Sequence, residues 1–185
     1  MRIISGKFKG KKLISPKNTL IRPTLDRSKE MIFNTLNSIL NDKQMLITEM
    51  NVLDLFCGTG ALGIESISRG ASSVTFIDKS KEAIDITKNN CINLNISQNV
   101  NFIKVDLFKI KKIKDNFNLF FIDAPYKENI INKSLELITS KGLANSGALG
   151  VIEFKKGTTL NLEKSIKVLK EKKVGISQFI FCEVN

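Results

Sequence analysis

The chain has 185 residues, 42% of them hydrophobic and 25% charged, with a formal charge of +11 and no histidine. Such a composition describes one ordinary globular domain with a core of its own, and no apolar run approaches the ~20 residues of a membrane span. The missing imidazole excludes Ser-His and Cys-His nucleophile pairs, while Cys57, Cys91 and Cys182 lack the spacing of a zinc site or a disulfide framework. The expectation is a cytoplasmic chain with no secretory leader, no membrane contact and no metal.

Charge is unevenly distributed. Residues 1–29 hold nine Lys/Arg against one acid, a net +8, and the rest of the chain nets only +3. A lysine-rich compositional bias would spread evenly, so the concentration points to a nucleic-acid partner. Residues 2–5 and 11–14 read as two short strands around Gly6 and Gly10, a β-hairpin that carries Arg2, Lys7, Lys9, Lys11 and Lys12. These five are the candidate RNA-contacting residues. Residues 1–23 read as a basic hairpin and linker, and 24–185 as the main domain. Removing residues 1–14 is then expected to leave ligand binding by the main domain intact and to weaken nucleic-acid binding.

Thr24 reads as the N-cap of an amphipathic helix over 25–40, with Ile32, Leu36, Ile39 and Leu40 on one face. Next comes the stretch around which the chain is organised, NVLDLFCGTGALGIESISRGASSVTFID, residues 51–78. Its pattern is strand, glycine-rich turn, helix, strand. Gly58-x-Gly60-x-x-Gly63 at a strand-to-helix junction is the nucleotide-binding fingerprint: glycines permit the turn and let a ligand approach the backbone. Asp78, ending the second strand, is placed to accept from ribose hydroxyls. Asp54, ahead of the glycines, favours S-adenosylmethionine over a dinucleotide, because a carboxylate there attracts an ammonium and repels a pyrophosphate. Its bland alternative is a turn cap.

A helix over 80–93 and a strand over 100–105 ending on Asp106 follow. The fully apolar run 119–122 reads as a buried parallel strand and stops on Asp123-Ala124-Pro125-Tyr126. Helix 128–139, strand 148–154, a last helix over 161–170 and one or two strands within 172–184, broken near Gly175, complete the pattern. Alternating strands and helices imply an α/β sheet with right-handed crossovers. Asp54, Asp78, Asp106 and Asp123 then all sit at strand ends, facing one crevice.

Asp123-Ala124-Pro125-Tyr126 resembles the D/N-P-P-Y/F tetrapeptide of S-adenosylmethionine-dependent methyltransferases acting on exocyclic amino groups, with Ala124 in place of the first proline. Such a nitrogen is a poor nucleophile, since its lone pair is delocalised into the ring. The Asp123 carboxylate and the Ala124 carbonyl are suited to accept its two hydrogens, Pro125 to stiffen the turn and Tyr126 to stack on the base. No histidine is needed.

MRIISGKFKGKKL and RPTLDRSKEMIFNTL, with the motifs above, are similar to the RsmD-type bacterial 16S ribosomal RNA guanine-N2 methyltransferases, over essentially the whole chain. The resemblance implies a Rossmann-like class I methyltransferase fold, a seven-stranded, mostly parallel sheet with an antiparallel end. It implies S-adenosyl-L-methionine as cofactor, 16S rRNA or the small ribosomal subunit as partner, guanine 966 in the usual bacterial numbering as target, and a monomer. By position, Asp54, Phe56, Gly58, Thr59, Gly60 and Gly63 would line the cofactor's methionine end. Asp78 with Lys79 would take the ribose and Asp106 with Leu107 the adenine, while Arg22 and Thr24 would close over it. A helix cap remains the alternative for Asp106, and a phosphate contact the alternative for Arg22. Competing readings are a DNA adenine-N6 or cytosine-N4 methyltransferase, a catalytically silent RNA-binding assembly factor and an NAD-dependent oxidoreductase.

Overall fold

A computed structural model describes residues 1–15, 26–110, 116–125, 129–162 and 164–185. Seven strands form one sheet: β1 (Asn51–Leu55), β2 (Ser73–Asp78), β3 (Val100–Lys104), β4 (Phe117–Asp123), β5 (Ala144–Lys155), β6 (Ile166–Val174) and β7 (Ser177–Val184). Their order is β3-β2-β1-β4-β5-β7-β6; neighbouring pairs among β1 to β5 are parallel, and β7 runs antiparallel to both β5 and β6. Among the described residues the α-helices are α1 (Asp26–Asp42), α2 (Ala61–Ser68), α3 (Lys81–Asn93) and α4 (Ile130–Ser140).

Both sheet faces are covered, so the central strands bury apolar side chains on both sides. Val52 and Phe121 join a core with Phe33 and Leu36 of α1, Ile64 of α2 and Ile84 of α3. Leu53, Leu55, Phe120 and Ile122 alternate onto the other face, with Leu135 and Ile138 of α4. This is the Rossmann-like class I methyltransferase architecture that the motifs imply.

One element differs from expectation. The helix expected over 161–170 is absent: Ile166–Val174 is strand β6, paired with β7. Ile166 and Leu169, three apart in sequence as on a helix face, lie on opposite faces of the sheet, Ile166 in the α4-side core and Leu169 against the α1-side core, with a bulge between Val168 and Lys170. Pairing with β7 overrides that local pattern. The N-terminal hairpin closes on the Arg2–Lys12 bridge, with Ile3 N–H donating to the Lys11 carbonyl and Gly10 N–H to the Ile3 carbonyl, both at 2.9 Å, and Leu13 N–H to the Met1 carbonyl at 3.2 Å. The next backbone donors turn to α2: Ile4 N–H and Ser5 N–H donate to the Glu65 carboxylate at 2.8 and 3.0 Å, Lys7 N–H to the Ser68 carbonyl at 2.7 Å, and Phe8 N–H to Ser68 Oγ at 3.0 Å.

The segment is thereby part of the core, with Ile3 and Leu13 fully covered beside Phe33. Glu65 is itself buried and also accepts from Arg69 Nε at 2.9 Å, while Arg69 lies 4.5 Å over the Phe33 ring. Lys29, buried too, donates to the Arg2 carbonyl and pairs with Asp26 at 3.5 Å. Burial lowers its pKa, and Asp26 and Glu65 oppose that shift. Removing residues 1–14 would thus take from buried Glu65 two backbone donors and from buried Lys29 its carbonyl acceptor, leaving each with its ion-pair partner alone. The expected boundary at residues 23 and 24 lies outside the described residues. We expect Glu65→Ala to lower the unfolding free energy by about 3–5 kcal/mol, as when one partner of a buried pair is removed, and Glu65→Gln, which keeps an acceptor, to lose less. Urea unfolding followed by circular dichroism measures both.

Candidate active site

The loop from β1 to α2 is built by backbone conformation. Phe56, Gly58 and Gly60 all have positive φ, at 58°, 56° and 75°. Glycine is required at 60, where a Cβ would stand 2.5 Å from Thr87 Cγ2. Phe56, half-buried, holds the same left-handed region with a bulky side chain, a strain that recurs at ligand-binding loops.

Two buried polar residues of α3 anchor this loop from behind. Thr87 Oγ1 donates to the Gly58 carbonyl at 3.1 Å, and Asn90 Nδ2 to the Thr59 carbonyl at 3.0 Å. Asn90 also holds residue 14, accepting from Ile14 N–H at 2.6 Å. Neither residue was foreseen from sequence; the available signal was two polar side chains three apart on the inner face of α3, beside Ile84 and Cys91. Thr59 is buried, its hydroxyl 3.6 Å from Met1 Sδ.

The four aspartates do gather at the carboxyl end of the sheet. Leu55 lies in register with Ile77 on one side and Ile122 on the other, so Asp78 and Asp123 flank the end of β1, two strand spacings or about 10 Å apart. Asp78 is clamped: Oδ2 accepts from Gly58 N–H at 3.1 Å and Oδ1 from Ser80 N–H at 2.8 Å. Each oxygen keeps a further lone pair for a ligand hydroxyl. Asp54 is 2% exposed, and its Oδ2 accepts from Gly63 N–H, in the first turn of α2, at 2.9 Å. The turn-cap geometry named as its alternative is therefore present. Burial, with the nearby Asp123 and Asp78 charges, holds the Asp54 carboxyl well above the usual range against that hydrogen bond. Asp106 caps a 3-10 turn, its Oδ1 accepting from Phe108 N–H at 3.1 Å, again the alternative geometry.

Other expected residues fall as follows. Gly63 faces the sheet: a Cβ there would stand 2.3 Å from the Phe76 ring. Its glycine identity meets a helix-packing requirement. Leu107 is buried in the α4-side core and Lys79 is exposed. Asp123 is half-buried, Ala124 is 3% exposed within the core, and Pro125 is exposed. Arg22, Thr24 and Tyr126 lie outside the described residues. Lys7 and Lys9 lie at the Ser68 end of α2, one helix length or about 12 Å below the glycine loop. The thiols are inert: burial pushes Cys91 and Cys182 up to about 12 and raises Cys57 as well.

An acidic crevice beside a glycine loop suits a ligand bearing an ammonium, a sulfonium and ribose hydroxyls. Among the described residues no group of His, Cys, Asp and Glu could hold a metal ion, and no helix is long and apolar enough to cross a membrane. Fold, loop and strand-end acids together define a class I S-adenosylmethionine-dependent methyltransferase. A family model described as conserved hypothetical protein 95 matches residues 1–183. Ribosomal RNA small subunit methyltransferase D of Haemophilus influenzae is 31% identical over 183 residues, covering 97% of this chain and 91% of that one. Its namesake in Buchnera aphidicola subsp. Baizongia pistaciae is 35% identical over 156 residues, covering 83% and 75%. The chain belongs to the ribosomal RNA small subunit methyltransferase D family. Among solved structures, Escherichia coli yhhF matches with a TM-score of 0.84 at 24% identity, covering 100% of this chain and 97% of that one. An RNA methyltransferase of Salinibacter ruber in complex with S-adenosyl-L-homocysteine matches in fold, with a TM-score of 0.64 at 14% identity, covering 88% and 94%.

The buried Asp54 has a consequence for stability. Its folded pKa is raised, so its contribution is fully present below the unfolded value of ~3.9 and is lost as pH rises through the folded value. Ligand-free Asp54→Asn, which still offers an oxygen to Gly63 N–H, should lose this component. The mutant should melt higher than the parent at pH 8 and differ less from it at pH 4, as read by differential scanning fluorimetry.

Proposed function

We propose that the protein transfers a methyl group from S-adenosylmethionine to the exocyclic N2 amino group of a guanine in 16S rRNA. The observation that carries the reading is the placement of Asp123-Ala124-Pro125 at the end of β4, directly beside β1 and its glycine loop. The names of the relatives, ribosomal RNA small subunit methyltransferases, point to the same substrate. S-adenosylmethionine supplies the electrophilic methyl when bound. Asp54 and the loop residues Phe56, Gly58, Thr59 and Gly60 would hold its methionine end, Asp78 its ribose, and Asp106 its adenine.

The chain's own task is then to present a weak nucleophile. The Asp123 carboxylate accepts one amino hydrogen of the guanine and the Ala124 carbonyl the other. With both hydrogens held on one side, the nitrogen's lone pair is turned into the crevice. Asp123 afterwards takes the released proton. Pro125 limits the motion of the turn, and Tyr126 stacks on the unstacked base, a contact worth ~1–3 kcal/mol. Alignment of this kind supplies up to about 7–11 kcal/mol of a barrier. Contacts from Arg2, Lys7, Lys9, Lys11 and Lys12 to RNA phosphates would add affinity without reading sequence. A cytoplasmic monomer suits work on the small ribosomal subunit.

Labelled S-adenosylmethionine, incubated with unmodified small subunits, naked 16S rRNA and duplex DNA, tests the reading. N2-methylguanine should appear in the ribosomal RNA, and Asp123→Ala should lower kcat by about 100-fold or more with little change in cofactor affinity. Label on DNA adenine or cytosine would establish the DNA-methyltransferase alternative instead. Cofactor binding without transfer would point to a silent assembly factor.

A further inference from the structure

We propose that Lys155, Lys156, Lys172 and Lys173 form a second phosphate-binding strip, on the β5–β7–β6 side of the Asp123 crevice, that holds the RNA strand flanking the target base. The inference rests on the reading of RNA as substrate.

Charge supplies the first observation. Residues 155–174 hold seven lysines and two acids, a net +5, while the chain outside this segment and residues 1–29 nets −2. The basic charge is therefore carried by two segments far apart in sequence. The sheet decides where the second one lies. Asp123 is in register with Glu153, Glu153 with Phe179, and Phe179 with Lys172. Lys172 is thus level with Asp123 across three strand spacings, about 14 Å. Lys173 and Lys155 lie one and two residues further toward the carboxyl end of the sheet, and Lys156 follows directly on β5. These residues stand at the carboxyl end of the sheet, where the crevice opens, whereas Lys7 and Lys9 sit at the far end of α2.

All four side chains are exposed, and none forms an ion pair among the described residues. Lys170, by contrast, is engaged with α1, donating to Ser38 Oγ at 2.8 Å and pairing with Asp42 at 3.7 Å. The bland explanation is edge protection, since β6 is the sheet's last strand and lysines discourage further pairing. It does not cover Lys155 and Lys156, because β5 lies between β4 and β7 and has no open edge. The two groups are also tied together: Lys156 N–H donates to the Ile176 carbonyl in the β6–β7 turn at 2.9 Å. The strip therefore follows one rim of two connected strands, with Lys155 and Lys172 on the Phe179 face of the sheet and Lys173 on the opposite face. Ile176 itself is 59% exposed at the turn, an apolar contact for an unstacked base or sugar next to the phosphate-binding charges.

The test is the full chain with all four lysines replaced by glutamine. KM for 16S rRNA should rise about tenfold or more with kcat and cofactor affinity unchanged, and the log–log slope of RNA affinity against salt should flatten by about 3, four contacts at ~0.7 each on single strands. Acetylation of the parent protein, with and without 16S rRNA, gives an independent readout: these four lysines should be protected by RNA. Parental KM and slope in the variant, or unprotected lysines in an RNA complex, would overturn the strip. A parent enzyme that transfers no methyl group to RNA would instead remove the substrate reading beneath it.

Discussion

The hydrogen bond from Gly63 N–H to the buried carboxylate of Asp54 ties helix α2 to strand β1, and the active end of the molecule depends on that tie. A helix needs acceptors for its first N–H groups. Here a side chain from the preceding strand supplies one, so the glycine loop between them has both ends held. Gly63 lets the helix come close enough for the bond, because any side chain there would meet Phe76 and Val74. The cap, the close packing and the loop conformation are one constraint expressed three times.

The remaining anchors act on the same loop from other directions. Asp78 holds Gly58 N–H, while Thr87 and Asn90 hold the carbonyls of Gly58 and Thr59. With these groups engaged, the loop has little freedom to reorganise when a ligand arrives, so less ordering entropy opposes binding. Asn90 extends this network to Ile14, and Glu65 and Ser68 extend it along residues 4–8. The N-terminal segment is consequently a wall of the cofactor domain as well as a carrier of basic charge.

Electrostatics divide the molecule by function. Carboxylates gather at the carboxyl ends of β1, β2, β3 and β4, where their mutual repulsion and burial keep Asp54 reluctant to ionise. A cationic ligand relieves that repulsion, and a polyanion placed there would add to it. Lysines are instead set back, along the N-terminal segment and around the β6–β7 hairpin. An RNA strand can then be attracted to the periphery while only an uncharged base enters the acidic crevice.

Local signals determined a good deal. The glycine loop, the acids at strand ends, the apolar β4 strand and the Asp123-Ala124-Pro125 turn were legible because each depends on residues adjacent in sequence or on a simple period. Tertiary structure decided the rest. Lys-rich Ile166–Val174 became a strand because β7 offers it a ladder, and its bulge hides the period of two. The N–H groups of Ile4, Ser5, Lys7 and Phe8 found acceptors on Glu65 and Ser68, 60 or more residues away. Thr87 and Asn90 acquired their role only when α3 packed behind the loop. For the N-terminal donors and for Thr87 and Asn90 the partner is distant in the chain, and a hydrogen bond to a distant partner leaves no periodic trace in the sequence.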